Sequence, residues 1–231
     1  MSSLYAQEPL LVAAASDLSP IQTLLQEEFG RKVTFTFGAS GMLARQIENG
    51  APFDLFLSAD EYQVEPLVKK NKVDPDSRQI YAIGRIAIWS KSGNFKSLAD
   101  LPKARAIAIA NPLTAPYGRA AKEALAKSGL WPQVQDKVVQ AETVRQAFQF
   151  AESGNADVCI TAYSLVFDQG GIQVKDDLHR PLRQIGVVIN KSKRRKEAAA
   201  FLDFLLSPAG RGILATHGFN LMPGAPSLKR K

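Results

Sequence analysis

Short apolar runs rich in β-branched residues alternate with amphipathic stretches along almost the whole chain, and this alternation limits the fold more than any other feature. The runs at 10–15, 33–37, 55–57, 86–89, 106–110, 158–161 and 185–189 have the length and composition of strands. Between them, 21–29, 42–49, 62–70, 118–127, 144–152, 195–206 and 208–216 carry helical periodicity, most of them bounded by Gly, Pro or Asn. Strands separated by helices imply crossover connections, hence parallel strands and an α/β fold. Several strands run straight into small or hydroxyl residues: Ala13-Ala14-Ala15-Ser16, Gly38-Ala39-Ser40-Gly41, Leu57-Ser58-Ala59-Asp60 and Thr161-Ala162-Tyr163-Ser164. In open α/β sheets such carboxyl-terminal strand ends are where ligands bind, because helix N-termini there offer unsatisfied N–H groups and the positive end of a dipole.

The 231 residues, 45% hydrophobic, are enough for one large domain or two of about 100 residues each. No low-complexity linker divides the chain, so two lobes would require it to cross between them more than once; the crossings are expected near 81–85 and 184–190. A single cysteine, Cys159, excludes an intramolecular disulfide framework, and Cys/His zinc spacings are missing. The net charge of +7 raises the question of nucleic acid. Its densest cluster, 191–196, opens a helical pattern and lacks interleaved aromatics for base stacking, which reads as a solvated helix end and no nucleic-acid partner. No run of about 18 apolar residues is present. Leu4-Tyr5-Ala6 resembles the small-residue end of an export signal, so an exported protein with its signal peptide removed is expected.

The strand end at Ser16, the continuous stretch from Gly38 to Asp60 and the closing Gly218-Phe219 together resemble the ModA family of periplasmic molybdate-binding proteins, over roughly Leu10 to Pro223. Ser207-Pro208-Ala209-Gly210 resembles solute-binding proteins more generally. The resemblance implies a type II periplasmic-binding-protein fold, two α/β lobes joined by a hinge with the cleft between them. The first lobe is expected to be discontinuous, 8–83 with 190–231, and the second to span 84–189. It implies a periplasmic, monomeric, non-catalytic component of an ABC importer that binds molybdate or tungstate, needs no cofactor and partners a membrane permease. Carried over residue by residue, Ser16 and Ser40 match the hydroxyl donors of the first lobe, with Ala39 beside them; Tyr117 and Val144 match backbone donors of the second. Some relatives use a tyrosine at the strand-end turn where this chain has Ala162, with Tyr163 next to it.

A site made only of donors suits a fully deprotonated oxyanion, whereas monohydrogen phosphate brings a proton that needs an acceptor. Asp17, directly after Ser16, is read as a first-turn carboxylate pointing away from the ligand. Arg45, Arg119 and Arg145 are expected on helix faces or at the cleft rim. Other ligands on the same fold (phosphate, sulfate or ferric ion) are the alternatives, but iron lacks the adjacent tyrosine pair it would need. The effector domain of a transcription regulator would follow a helix-turn-helix segment. Ser16, Ser40 and Ser58 have no base at a recognisable spacing, and His179 and His217 stand alone, so no catalytic set is formed.

Overall fold

The computed structural model describes residues 8–222; Leu4-Tyr5-Ala6 lies outside them. Two five-stranded sheets organise the chain. The first has the order β2-β1-β3-β10-β4, built from β1 (Leu10–Ala15), β2 (Val33–Gly38), β3 (Leu55–Ser58), β4 (Gln79–Gly84) and β10 (Leu182–Val188). The second has the order β7-β6-β8-β5-β9, from β5 (Ile86–Trp89), β6 (Ile107–Ala110), β7 (Val138–Ala141), β8 (Val158–Ala162) and β9 (Ile172–Gln173).

In the first lobe, side-chain alternation along β1 divides the core. Val12 and Ala14 face a cluster with Leu18, Leu25, Phe201 and Leu214, under α1 (Gln22–Phe29), α7 (Arg195–Leu206) and α8 (Pro208–Thr216). Ala13 faces the opposite side, with Leu43, Ile47, Phe56 and Leu67 beneath α2 (Ser40–Glu48) and α3 (Glu65–Lys69). A sheet covered on both faces requires its central strands to be apolar at every position, as in β1, whereas β2, at the sheet edge, alternates Val33, Phe35 and Phe37 with Thr34 and Thr36. The second lobe repeats the plan with α4 (Pro116–Lys127), α5 (Trp131–Val134) and α6 (Val144–Ser153) around Ile107, Ile109, Val158 and Ile160.

Three expectations need correction. The sheets are mixed rather than parallel throughout: β10 is antiparallel to β3 and β4, and β5 is antiparallel to β8 and β9. The strand expected at 185–189, assigned to the second lobe, falls at the end of a longer one, Leu182–Val188, that pairs Ile185 with Ser58 and Leu182 with Gly84 inside the first sheet. The return crossing therefore precedes Leu182, and the boundary expected at 189/190 falls after a strand that already sits in the first sheet. The crossing expected near 81–85 is itself largely strand: β4 ends at Gly84, Arg85 makes the step, and β5 starts at Ile86 in the other sheet. Two strands, β4 and β10, thus lie side by side in the first sheet where the chain leaves for the second sheet and returns from it, the place at which the hinge is expected. Among the described residues no helix is long and apolar enough to cross a membrane.

Candidate ligand-binding cleft

The carboxyl ends of β1 and β2 face those of β6, β7 and β8 across the junction. Ala15, Ala39 and Ala59 of the first lobe lie in one apolar cluster with Ala115, Tyr117, Val144 and Ala162 of the second. Small side chains at these ends let the helix N-termini of both lobes converge on one place.

Ser16 and Ser40 are not N-caps. Ala15 (φ −60°, ψ 140°) and Ala39 (φ −68°, ψ 135°) hold the extended capping positions, which makes each serine the first residue of its helix, Ser16 in the 3₁₀ turn Ser16–Ile21 and Ser40 in α2. Neither alanine has a side chain to cap with, so these helix N-termini depend on other acceptors; in α2 the Gly41 and Met42 N–H groups already have theirs in the Thr114 and Ala39 carbonyls. Ser40 is almost fully buried, and its Oγ accepts the Ala59 N–H at 3.0 Å. Because a hydroxyl has one proton and two lone pairs, that bond fixes the oxygen while leaving its O–H free to donate. Ser16 is buried at 4% exposure, and among the described residues no protein group bonds its hydroxyl.

From the second lobe, Tyr117 lies in the first turn of α4, after Pro116 at its start. Gly118 follows because β6 passes so close that an added Cβ would meet the backbone carbonyl of Ala110. Val144 is the first residue of α6, capped by Thr143, whose Oγ1 accepts the Gln146 N–H at 3.1 Å. Thr161 donates to the Val144 carbonyl at 3.0 Å, tying that N-terminus to β8. Ala162, fully buried, ends β8. The Tyr163 ring lies under the Arg85 guanidinium, 4.6 Å from its centroid, and edge-on to Phe167, at the crossing between the lobes.

Asp17 departs most from expectation. Rather than lying along its own helix, it is wholly buried, and its Oδ2 accepts the Tyr117 hydroxyl across the junction at 2.8 Å. Gln184 of β10 donates to the Tyr117 oxygen at 3.1 Å and accepts from Tyr81 of β4 at 3.2 Å. Ser164 donates to the Asp17 backbone carbonyl at 2.8 Å. Burial raises the Asp17 carboxyl to about 6, against the lowering effect of its Tyr117 hydrogen bond. Sequence could not have revealed this, since the partner stands 100 residues away.

The rim is polar. The Gly41 N–H of α2 donates to the Thr114 carbonyl of the second lobe at 2.9 Å. Arg119 reaches back to the buried Asp60 at the end of β3, whereas Arg45 and Arg145 are exposed on their helices. Ser16, Ala39, Ser40, Tyr117 and Val144, expected from the sequence to hold the ligand, all lie at helix N-termini or at the residue before one, and none carries a cationic side chain. Among the described residues no three His, Cys, Asp or Glu side chains gather as a metal site.

Comparison with known proteins agrees with this architecture. Residues 10–220 match the family described as bacterial extracellular solute-binding protein. The chain is 36% identical to the molybdate-binding protein ModA of Azotobacter vinelandii, covering 94% of this chain and 91% of that one. It is 35% identical to ModA of Rhodobacter capsulatus, covering 93% and 88%. The solved Azotobacter vinelandii periplasmic molybdate-binding protein superposes with a TM-score of 0.85 at 29% identity, over 92% of this chain and 99% of that one.

Proposed function

This chain belongs to the ModA family of bacterial extracellular solute-binding proteins, and we propose on that footing that it captures molybdate between its lobes and delivers it to the permease of an ABC importer. Tungstate, a dianion of the same shape, is expected to bind at the same place. The reading puts the protein outside the cytoplasmic membrane, acting as a monomer by binding alone, without catalysis or a cofactor.

The observation that carries this reading is the convergence of two serine hydroxyls and two helix N-termini on one buried junction, with no lysine or arginine among them. In the proposed complex the Ser16 and Ser40 hydroxyls donate from the first lobe, the amides of Tyr117 and Val144 donate from the second, and Ala39 and Ala162 keep the walls close. A hydrogen bond to a charged group contributes about 1.5 to 3 kcal/mol. Four such bonds therefore supply roughly 6 to 12 kcal/mol before helix-end dipoles and remaining amides are counted, against about 8 to 12 kcal/mol net for micromolar to nanomolar binding. Because the donors are split between lobes, an anion bound to one lobe alone leaves oxygens unsatisfied. Closure follows from its differential affinity for the closed state.

Isothermal titration with molybdate, tungstate, sulfate and phosphate tests the reading. Molybdate and tungstate should bind roughly 5- to 150-fold more tightly than phosphate, because a proton left unpaired in a donor-lined site costs about 1 to 3 kcal/mol. Tight sulfate or phosphate binding with no molybdate heat would refute it.

A further inference from the structure

A second element of the cleft works beside the anion donors. Asp17 follows β1, Tyr117 belongs to α4, and their side chains meet across the junction on top of both hinge strands. Gln184 from β10 and Tyr81 from β4 complete a chain of buried hydrogen bonds. Gly84, the last residue of β4, leaves no spare volume there: a Cβ would lie 2.6 Å from Gln184 Nε2 and closer still to the Tyr117 hydroxyl. One atom is unaccounted for, since Asp17 Oδ1 is buried with no hydrogen-bond partner. A carboxylate buried with one oxygen unpaired is most costly in its charged form, and protonation removes that charge.

Resting on the reading of the cleft as a molybdate site, we propose that Tyr117 and Asp17 are a positioning pair: their side-chain bond holds the lobes shut over the anion, and shutting them draws a proton onto Asp17. When the lobes part, the pair separates and the carboxylate is hydrated, at little cost. When they close, the carboxyl is buried near a dianion, and the neutral form is favoured by both desolvation and repulsion.

The ionisable groups facing Asp17 support the assignment. Tyr117 from α4 and Tyr81 from β4 are both pushed well above the ordinary tyrosine range by burial, so they remain protonated donors. Arg85 at the crossing acts on Tyr117. β10 contributes the neutral Gln184 and the turn after β8 contributes the Ser164 hydroxyl, while Glu27 and Glu28 of α1 and Arg145 of α6 are exposed. No histidine is in the network, so a pH response in this range reports Asp17. Its carboxyl, buried between the lobes, is raised from the ordinary 3.8 to about 6, and the opened, hydrated carboxyl is taken at the ordinary value. The closed state's advantage is then fully present below 3.8 and is lost as pH rises through about 6. From pH 8 to pH 5.5 this linkage tightens binding about fourfold.

The test compares wild type, Tyr117→Phe and Asp17→Asn by stopped-flow kinetics and by titration with molybdate at pH 8 and pH 5.5, alongside melting of the unliganded proteins. Tyr117→Phe should raise the dissociation rate about tenfold, leave association unchanged and leave unliganded melting unchanged. Asp17→Asn should abolish the fourfold pH gain, since its amide cannot titrate. If wild type gives no molybdate heat, the functional reading fails and takes the pair with it. If wild type binds but Tyr117→Phe dissociates within twofold of it, or Asp17→Asn keeps the wild-type pH slope, the functional reading stands and the positioning pair is wrong.

Discussion

Gly41→Ala weakens molybdate binding by about 1 to 3 kcal/mol, roughly 5- to 150-fold, while unliganded melting stays the same or rises. The Gly41 amide donates to the Thr114 carbonyl across the cleft. A Cβ built there would sit 2.8 Å from that carbonyl oxygen and 3.1 Å from Gln63 Oε1. The nearest atom is backbone and cannot rotate away, so the two lobes must part by several tenths of an ångström, at the cost typical of overpacking. Gly41 has an ordinary helical backbone and does not need glycine's conformational freedom. Alanine is the better helix former by about 1 kcal/mol, so the separated lobes lose nothing. Titration and calorimetric melting of Gly41→Ala and Gly41→Val check this as a graded series, with valine the weaker binder. Unchanged affinity in both would mean that closure does not bring α2 and the 111–115 loop together.

Ser40→Ala carries two penalties. Removing the O–H deletes a donor to the dianion, weakening molybdate binding by about 1.5 to 3 kcal/mol. Removing the oxygen also strands the Ala59 N–H, which has Ser40 Oγ as its acceptor in a buried position. An orphaned buried donor costs about 1 to 3 kcal/mol of folding stability. Ser16→Ala, whose hydroxyl bonds no described protein group, should lose comparable affinity with little change in stability. Chemical denaturation without ligand, set beside titration, separates the two effects. Equal stability of Ser40→Ala and wild type would show that the Ala59 amide finds another acceptor.

Much of the architecture was legible because strand and helix signals here are local. Leu10–Ala15, Ile86–Trp89, Arg195–Leu206 and Pro208–Thr216 coincide with the sequence reading to the residue, since each is an apolar or amphipathic run between clear punctuation. What escaped was non-local. Val138–Ala141 is a half-exposed edge strand interrupted by Gln140 and Ile172–Gln173 is only two residues long, so neither forms a sustained apolar run. Leu182–Val188 was recognised in part but put in the wrong sheet, because strand choice depends on pairing with β3 and β4 and not on the strand's own composition.

The same division holds at the cleft. Clustering of hydroxyl and small residues at strand ends marked Ser16 and Ser40, but not that the alanines before them would take the capping positions and leave the serines as first helical residues. A carboxylate in a first helical turn ordinarily complements the dipole, which is why Asp17 read as a bystander. Its burial comes from Tyr117, Gln184 and Ser164, at separations that no periodicity encodes. The family resemblance identified Tyr117 through its backbone and said nothing of its hydroxyl.

A crystal structure of the protein grown with molybdate tests most directly the central claim, that uncharged dipoles at strand-to-helix junctions replace the dianion's water. The account predicts a tetrahedral anion within about 2.7 to 3.1 Å of the Ser16 and Ser40 hydroxyls and the Tyr117 and Val144 amides, with Arg119 still on Asp60. An anion gripped by arginine or lysine side chains, or lodged away from both serines, would contradict it.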